Sequence, residues 1–378
     1  MGVSRALRLA TALGASIPLG LALIPGQGWA QVSWEDLVFT GGISAEAYEG
    51  NLAAVTVPAV DSTDQASAVV GELGVRGSVY FLNKQDRSLH LAWDAGLRQF
   101  VAGGFQLRDY APTELVGRMD LSYRENVGTL GQLWFFGGLG GRRVEDRPPM
   151  PLFIQPAHGS VNGRVLLQFY EIRDVYFDAQ VFGERADYST TPLTPQLALL
   201  DRWLVGGEVG ATWGSEGTVR VHAGFRTTKY GNQGTFDPSD PLRRDKTLNV
   251  GATWSFQSRL RGELSLEGTV NRSNSNRPEY NAISLRVETF LPLSHDFNLN
   301  FFALLTAKQY LEDTEFAQLV PGEEADNASV VYLEAARPLM VNLDGALRFG
   351  WNRAETDIGD SYYERFAATL LFRYRPWQ

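Results

Sequence analysis

Apolar and polar residues alternate strictly for ten or more positions at a time, again and again along the chain. In GTVRVHAGFRTTKYG, residues 217–231, Val219, Val221, Ala223 and Phe225 alternate with Arg220, His222 and Arg226. Glu72 and Arg76 stand against Leu73 and Val75, and Asp94 and Arg98 against Trp93 and Leu97. Glu263 and Glu267 oppose Leu264 and Leu266, while Asp344 and Arg348 oppose Leu343, Leu347 and Phe349. A period of two sends successive side chains to opposite faces of a strand. Soluble strands commonly run about 5–6 residues, whereas a bilayer requires strands of about 9–11 residues tilted by roughly 45°. The runs here have the longer length.

Punctuation between the runs is regular. Short polar turns read NKQDR at 83–87, ENVGT at 125–129, IRDV at 172–175, GSEG at 214–217, QSRL at 257–260, SHDF at 294–297 and MVN at 340–342. Longer segments rich in Pro, Gly and acids separate them, starting at 51, 142, 189, 231 and 313. Alternating short and long connections are those of an outer-membrane barrel, with turns on the periplasmic side and loops outside. Eight hairpins follow, hence about sixteen strands, an even number. Pro338 and the weak alternation up to Val341 blur the fourteenth of them.

Aromatic residues repeat once per hairpin. Phe81, Tyr123, Phe169, Trp213 and Phe256 fall on the apolar parity just before a short turn, and Tyr374 takes the same place in the last strand. Such a series is expected to form a lipid-facing aromatic girdle at one membrane interface. A β-propeller also repeats with aromatic motifs, but its blades hold four short strands and no long alternating runs. The expected fold is therefore all-β: a transmembrane antiparallel up-and-down β-barrel.

Residues 1–30 read as a signal peptide, with Arg5 and Arg8 before an apolar run and Gly28-Trp29-Ala30 as the cleavage site. Residues 31–378 are then the barrel domain. Removing the two arginines makes a chain of net charge −9 more acidic still, which argues against a nucleic-acid partner. With no cysteine, disulfides and thiolate metal sites are excluded.

Over the mature sequence the chain resembles bacterial outer-membrane β-barrel proteins of the porin kind. Phe366, Ala368, Leu370, Phe372 and Tyr374 resemble the C-terminal signal read by the barrel-assembly machinery, although Arg375-Pro376-Trp377-Gln378 follow where such signals usually end on an aromatic. A narrower stretch, RRDKTLNVGATWSF with NRSNSNRPEYNAISLRVE, resembles barrels of polysaccharide- or lipoprotein-export proteins. The resemblance implies the outer membrane of a diderm bacterium, with lipid and lipopolysaccharide as surroundings. A homo-oligomer is compatible with it.

A barrel of this width leaves an aqueous channel. Its lumen is expected to be lined by Glu72, Arg76, Asp94, Arg98, Arg118, Asp120, Glu208, Arg220, His222, Arg226, Glu263, Glu267, Arg286, Glu288, Asp344 and Arg348. Both signs occur at comparable depth, so cross-strand pairs are expected to brace the wall. Met150, Leu152, Phe153 and Ile154, in the apolar loop RPPMPLFIQPA, are candidates for a lid. His158-Gly-Ser160-Val-Asn162 resembles the His-x-Ser arrangement of outer-membrane phospholipases, but parity carries these residues inward with Arg164, away from lipid. Acid clusters at Asp61 and Asp64, at Glu323, Glu324 and Asp326, and at Asp357 and Asp360 lack the spacing of a calcium loop. No phosphate-binding or dinucleotide motif is present, so no cofactor, metal or enzymatic activity is expected. The expected role is passive diffusion of small hydrophilic solutes, with an export conduit for a polysaccharide or other secreted polymer, working with a periplasmic partner, as the alternative.

Overall fold

The computed structural model describes residues 33–50, 66–103, 113–144, 157–190, 195–214, 217–235, 239, 241–275, 279–294, 296–311, 329–355 and 362–376. The leader at 1–30, the lid candidates Met150, Leu152, Phe153 and Ile154, and the acid clusters at 61–64, 323–326 and 357–360 lie outside the described residues. The strands are β1 (Ser33–Gly50), β2 (Ala66–Asn83), β3 (Arg87–Gly103), β4 (Thr113–Val127), β5 (Gly131–Val144) and β6 (His158–Phe169). Next come β7 (Val175–Tyr188), β8 (Arg202–Trp213), β9 (Gly217–Gly234), β10 (Leu242–Gln257) and β11 (Arg261–Ser273). The last are β12 (Tyr280–Ser294), β13 (Phe297–Tyr310), β14 (Ser329–Met340), β15 (Leu343–Glu355) and β16 (Tyr362–Tyr374). Each strand pairs antiparallel with its sequence neighbours, and β1 pairs with β16 from Phe39↔Tyr374 to Gly50↔Tyr363, which closes the barrel. Closure leaves no edge strand.

All seven short connections fall where the turn-forming residues predict. One joins β6 to β7, where Arg173 (φ 53°) and Asp174 (φ 64°) both take left-handed backbone and the Ile172 N–H donates to Val175 O at 2.9 Å. Two left-handed residues make the turn whose twist matches a hairpin. On the opposite rim, Pro195–Leu200 form a 3-10 helix between β7 and β8. Asn232 and Gln233 on β9 hold it by donating to Ala198 O at 2.8 Å and Leu199 O at 2.5 Å.

The two strand faces differ as their sequence alternates. Leu73, Val101, Val181, Val205, Val209, Val250, Leu266 and Ile283 point outward and are more than half exposed on the isolated barrel. An apolar exterior running around a whole barrel far exceeds the patch of a few hundred Å² that a soluble monomer tolerates. It is stable in lipid, where strands closed into a ring satisfy every backbone group in the span. The chain is a transmembrane β-barrel of the outer-membrane type.

Of the register shifts among the described residues, which also fall between Leu242 and Arg244 and between Pro292 and Ser294, three bear on the expectations from sequence. One, between Trp34 and Asp36, lets Trp34 meet Trp93 edge-on at 5.8 Å. Another lies between Tyr80 and Leu82, so Leu82, and not Phe81, is paired with Leu89. Phe81 thus leaves the regular alternation that its place in a girdle assumes. The third lies between Pro338 and Met340, where a missing N–H is tolerated because the ladder is already interrupted. Tyr123, Phe169, Trp213, Phe256 and Tyr374 remain on the outward parity near the short-turn rim.

Candidate functional site

All sixteen charged or histidine positions expected in the lumen lie on the inward parity, opposite the exposed apolar residues of the same strands. Near the loop rim, β16 and β1 to β5 join them into a network. Arg98 reaches three carboxylates, Glu46 at 2.6 Å, Glu72 at 3.0 Å and Glu114 at 3.3 Å. Arg142 adds a contact to Glu114 at 2.8 Å, and Arg365 lies 3.7 Å from Glu46, which also accepts from the Tyr48 hydroxyl. Tyr48, Ala68, Val70 and Phe100 pack together beside the network, with the Arg98 guanidinium 5.0 Å over the Phe100 ring. Glu114 is only 2% exposed. A carboxylate so covered needs a paired partner, and two guanidinium groups meet it. Of this network only Glu72 and Arg98 stand out in the sequence. Glu46, Glu114, Arg142 and Arg365 gain their place from register.

Three further clusters brace the wall. On β7 to β9, Arg220 bridges Asp178 and Glu208, each at 2.7 Å. Gly210 lies beneath that bridge: a Cβ there would come within 2.6 Å of both Arg220 and Asp178. His222 on β9 sits 3.3 Å from Glu267 on β11. Between them on β10, Gly251 leaves the space that the imidazole fills, since a Cβ would lie 2.6 Å from it. On β14 to β16, the buried Glu334 accepts from Arg348 and Arg373, both at 2.6 Å. Asp344 pairs with Arg375 just beyond β16.

Other inward charges are open to solvent. Arg118 is 66% exposed and bonded to Asp120 on its own strand; Arg286 and the 58% exposed Glu288 form a similar pair. Arg76 faces Asp36 at 3.7 Å. Asp94, Arg226 and Glu263 have no ion-pair partner among the described residues, although Asp94 is in register with both Arg76 and Arg118. Charges on the inner face of a packed barrel would be covered. These are wetted at mid-depth, so the interior is hollow there.

Aromatic rings also occupy the polar parity, a feature the alternation hides. Trp134 and Phe136 on β5 are parallel at 5.9 Å, with Arg124 and Arg164 over their faces at 5.6 and 4.0 Å. Phe302 on β13 stacks on Tyr332 of β14 at 5.1 Å, flanked by Arg286 at 5.6 Å and Arg348 at 5.0 Å. In a ring of sixteen strands β5 and β13 face each other across the lumen. Guanidinium groups on aromatic faces are attracted by the ring quadrupole. Ser160 and Asn162 project over Gly140 and Gly138 on this same inner wall, and His158 stacks on Tyr188 at 5.2 Å. The His-x-Ser stretch therefore faces the lumen rather than lipid.

No family model and no curated protein matches the chain. Among solved structures it is similar to a bacterial polysaccharide outer membrane secretin, at 10% identity over 89% of this chain and 98% of that one, with a TM-score of 0.41. It is similar to Pseudomonas aeruginosa OccK2 at 9% identity, 93% and 100% coverage and a TM-score of 0.40. A mutant of the monoaromatic hydrocarbon channel TodX aligns at 10% identity, 94% and 91% coverage and a TM-score of 0.40.

Proposed function

We propose that the protein is an outer-membrane channel for passive diffusion of small hydrophilic solutes, performing no chemistry on them. One observation carries this reading: the inward charges Arg118, Asp120, Arg286 and Glu288 are solvated and ion-paired only along their own strands, while Glu114 and Glu334 are buried beneath guanidinium groups from neighbouring strands. A wall braced across strands in some places and wetted in others suits a standing water-filled path. The field of the wetted charges biases which ion passes. Biogenesis through the barrel-assembly machinery belongs to the same reading, on the strength of Phe366, Leu370, Phe372 and Tyr374 facing outward along β16.

Single-channel current through the refolded protein in a planar bilayer tests the proposal. Steady open steps are expected at neutral pH. Replacing Arg118 and Arg286 together by glutamate is expected to move the reversal potential in a salt gradient toward cations with the step size retained. A folded but silent barrel would overturn the diffusion reading and favour a polymer-export conduit that opens with a periplasmic partner.

A further inference from the structure

Five cations break the outward apolar parity at one place. Arg185, Trp203, Lys229 and Arg244 are directly in register across β7, β8, β9 and β10. Lys246, one outward step further along β10, pairs in register with Arg272 of β11. All lie toward the loop rim of their strands, and Lys229, Lys246 and Arg272 are exposed. Arg185 lies 4.9 Å over the Trp203 ring and 3.0 Å from Asp187, and Arg272 is 3.3 Å from Glu279. Lys229 and Lys246 have no ion-pair partner among the described residues. Asp201, just before β8, also interacts with Asp187 and Arg185, so five basic residues stand against three acids and still leave a positive stripe on a chain of net charge −9. Below it the same faces carry Val205, Phe225, Leu248 and Val270. On the opposite wall, outward positions near this rim hold Glu49 on β1 and Glu364 beside Arg353.

We infer that this stripe is a docking surface for the phosphorylated headgroup of an outer-leaflet glycolipid of the lipid A type. The inference rests on the outer-membrane placement above but not on conduction. Cations at the level where acyl chains end meet phosphate oxygens through charge-assisted hydrogen bonds. The apolar side chains beneath are at the depth of the acyl chains, and Trp203 suits the interface between the two. A single cation would be the ordinary snorkelling of a long side chain. Arg185, Lys229 and Arg244 in one cross-strand row present several donors to one headgroup, a geometry that separate snorkelling residues need not produce.

The full-length barrel in detergent would be mixed with bis-phosphorylated lipid A, its fully dephosphorylated counterpart, or phosphatidylglycerol, and retention read by native mass spectrometry. Bis-phosphorylated lipid A is expected to be retained at least ~10-fold more than either other lipid. The triple variant K229Q/R244Q/K246Q is expected to lose that preference while its single-channel conductance is unchanged. Arg337→Gln, outward on β14 at the turn rim, is expected to keep it. Equal retention of the dephosphorylated lipid, or of phosphatidylglycerol, would overturn the assignment, as would a folded triple variant that binds like the parent. The lipid comparison on the unmodified protein decides the matter even if the triple variant fails to fold, and it is read separately from current.

Discussion

Arg98 is the most heavily committed cation of the wall, with Glu46, Glu72 and Glu114 all converging on one guanidinium. Replacing it by methionine would keep much of the packing on Phe100 but leave three carboxylates facing each other. Breaking a covered ion pair by removing one partner costs about 3–5 kcal/mol. We expect a loss of that order in urea unfolding of the barrel in lipid vesicles, followed by tryptophan fluorescence. Arg118→Met removes an exposed charge from the same face, and its effect should stay below about 0.5 kcal/mol. If both variants lost equal stability, the distinction between a bracing and a wetted charge would fail. Face could be read from the sequence for both arginines, because parity is a property of each strand alone. Partnership could not, since Arg98 meets Glu46 from 52 residues away.

At the level of elements, the hairpins were legible through their turns, and sixteen strands follow from counting them. Register was less so. The bulges at Glu35, Phe81, Leu293 and Leu339 each insert a residue that shifts everything beyond it, and an insertion of that kind has no signature in alternation until it has occurred. The same limit hid the cationic stripe: Lys229 and Arg244 look like lapses in an apolar series until pairing sets them side by side. The β6–β7 turn offers an element-scale test. Arg173 and Asp174 hold left-handed backbone, which costs a residue with a Cβ roughly 1–2 kcal/mol. Asn-Gly is the preferred pair for such a turn. The double variant R173N/D174G is therefore expected to raise the urea midpoint, by a gain of about 1 kcal/mol. An unchanged or lowered midpoint would show that the loop tolerates these residues by some other contact.

For the whole molecule, the decisive property is which solvent bathes which surface. Val250 is exposed near the middle of β10, and on a soluble protein arginine there would be harmless. Facing the bilayer midplane, arginine is expected to cost about 2–4 kcal/mol. Thr269→Arg, on the inward face of β11 beside Glu267, should be tolerated. Folding yield in vesicles, read from the shift in gel mobility on heating, separates the two. Equal yields would count against the membrane orientation of the wall.

Closure through β1 and β16 has a consequence for the life of the chain. The residues that meet along that seam, from Phe39↔Tyr374 to Gly50↔Tyr363, come from opposite ends of the polypeptide. No ring can exist until the last strand has been synthesised and exported, so every shorter product is a curled sheet with two raw margins. Such a margin invites pairing with other chains. A premature stop anywhere before β16 should thus yield no narrower or leakier version of the protein, only material for the periplasmic proteases.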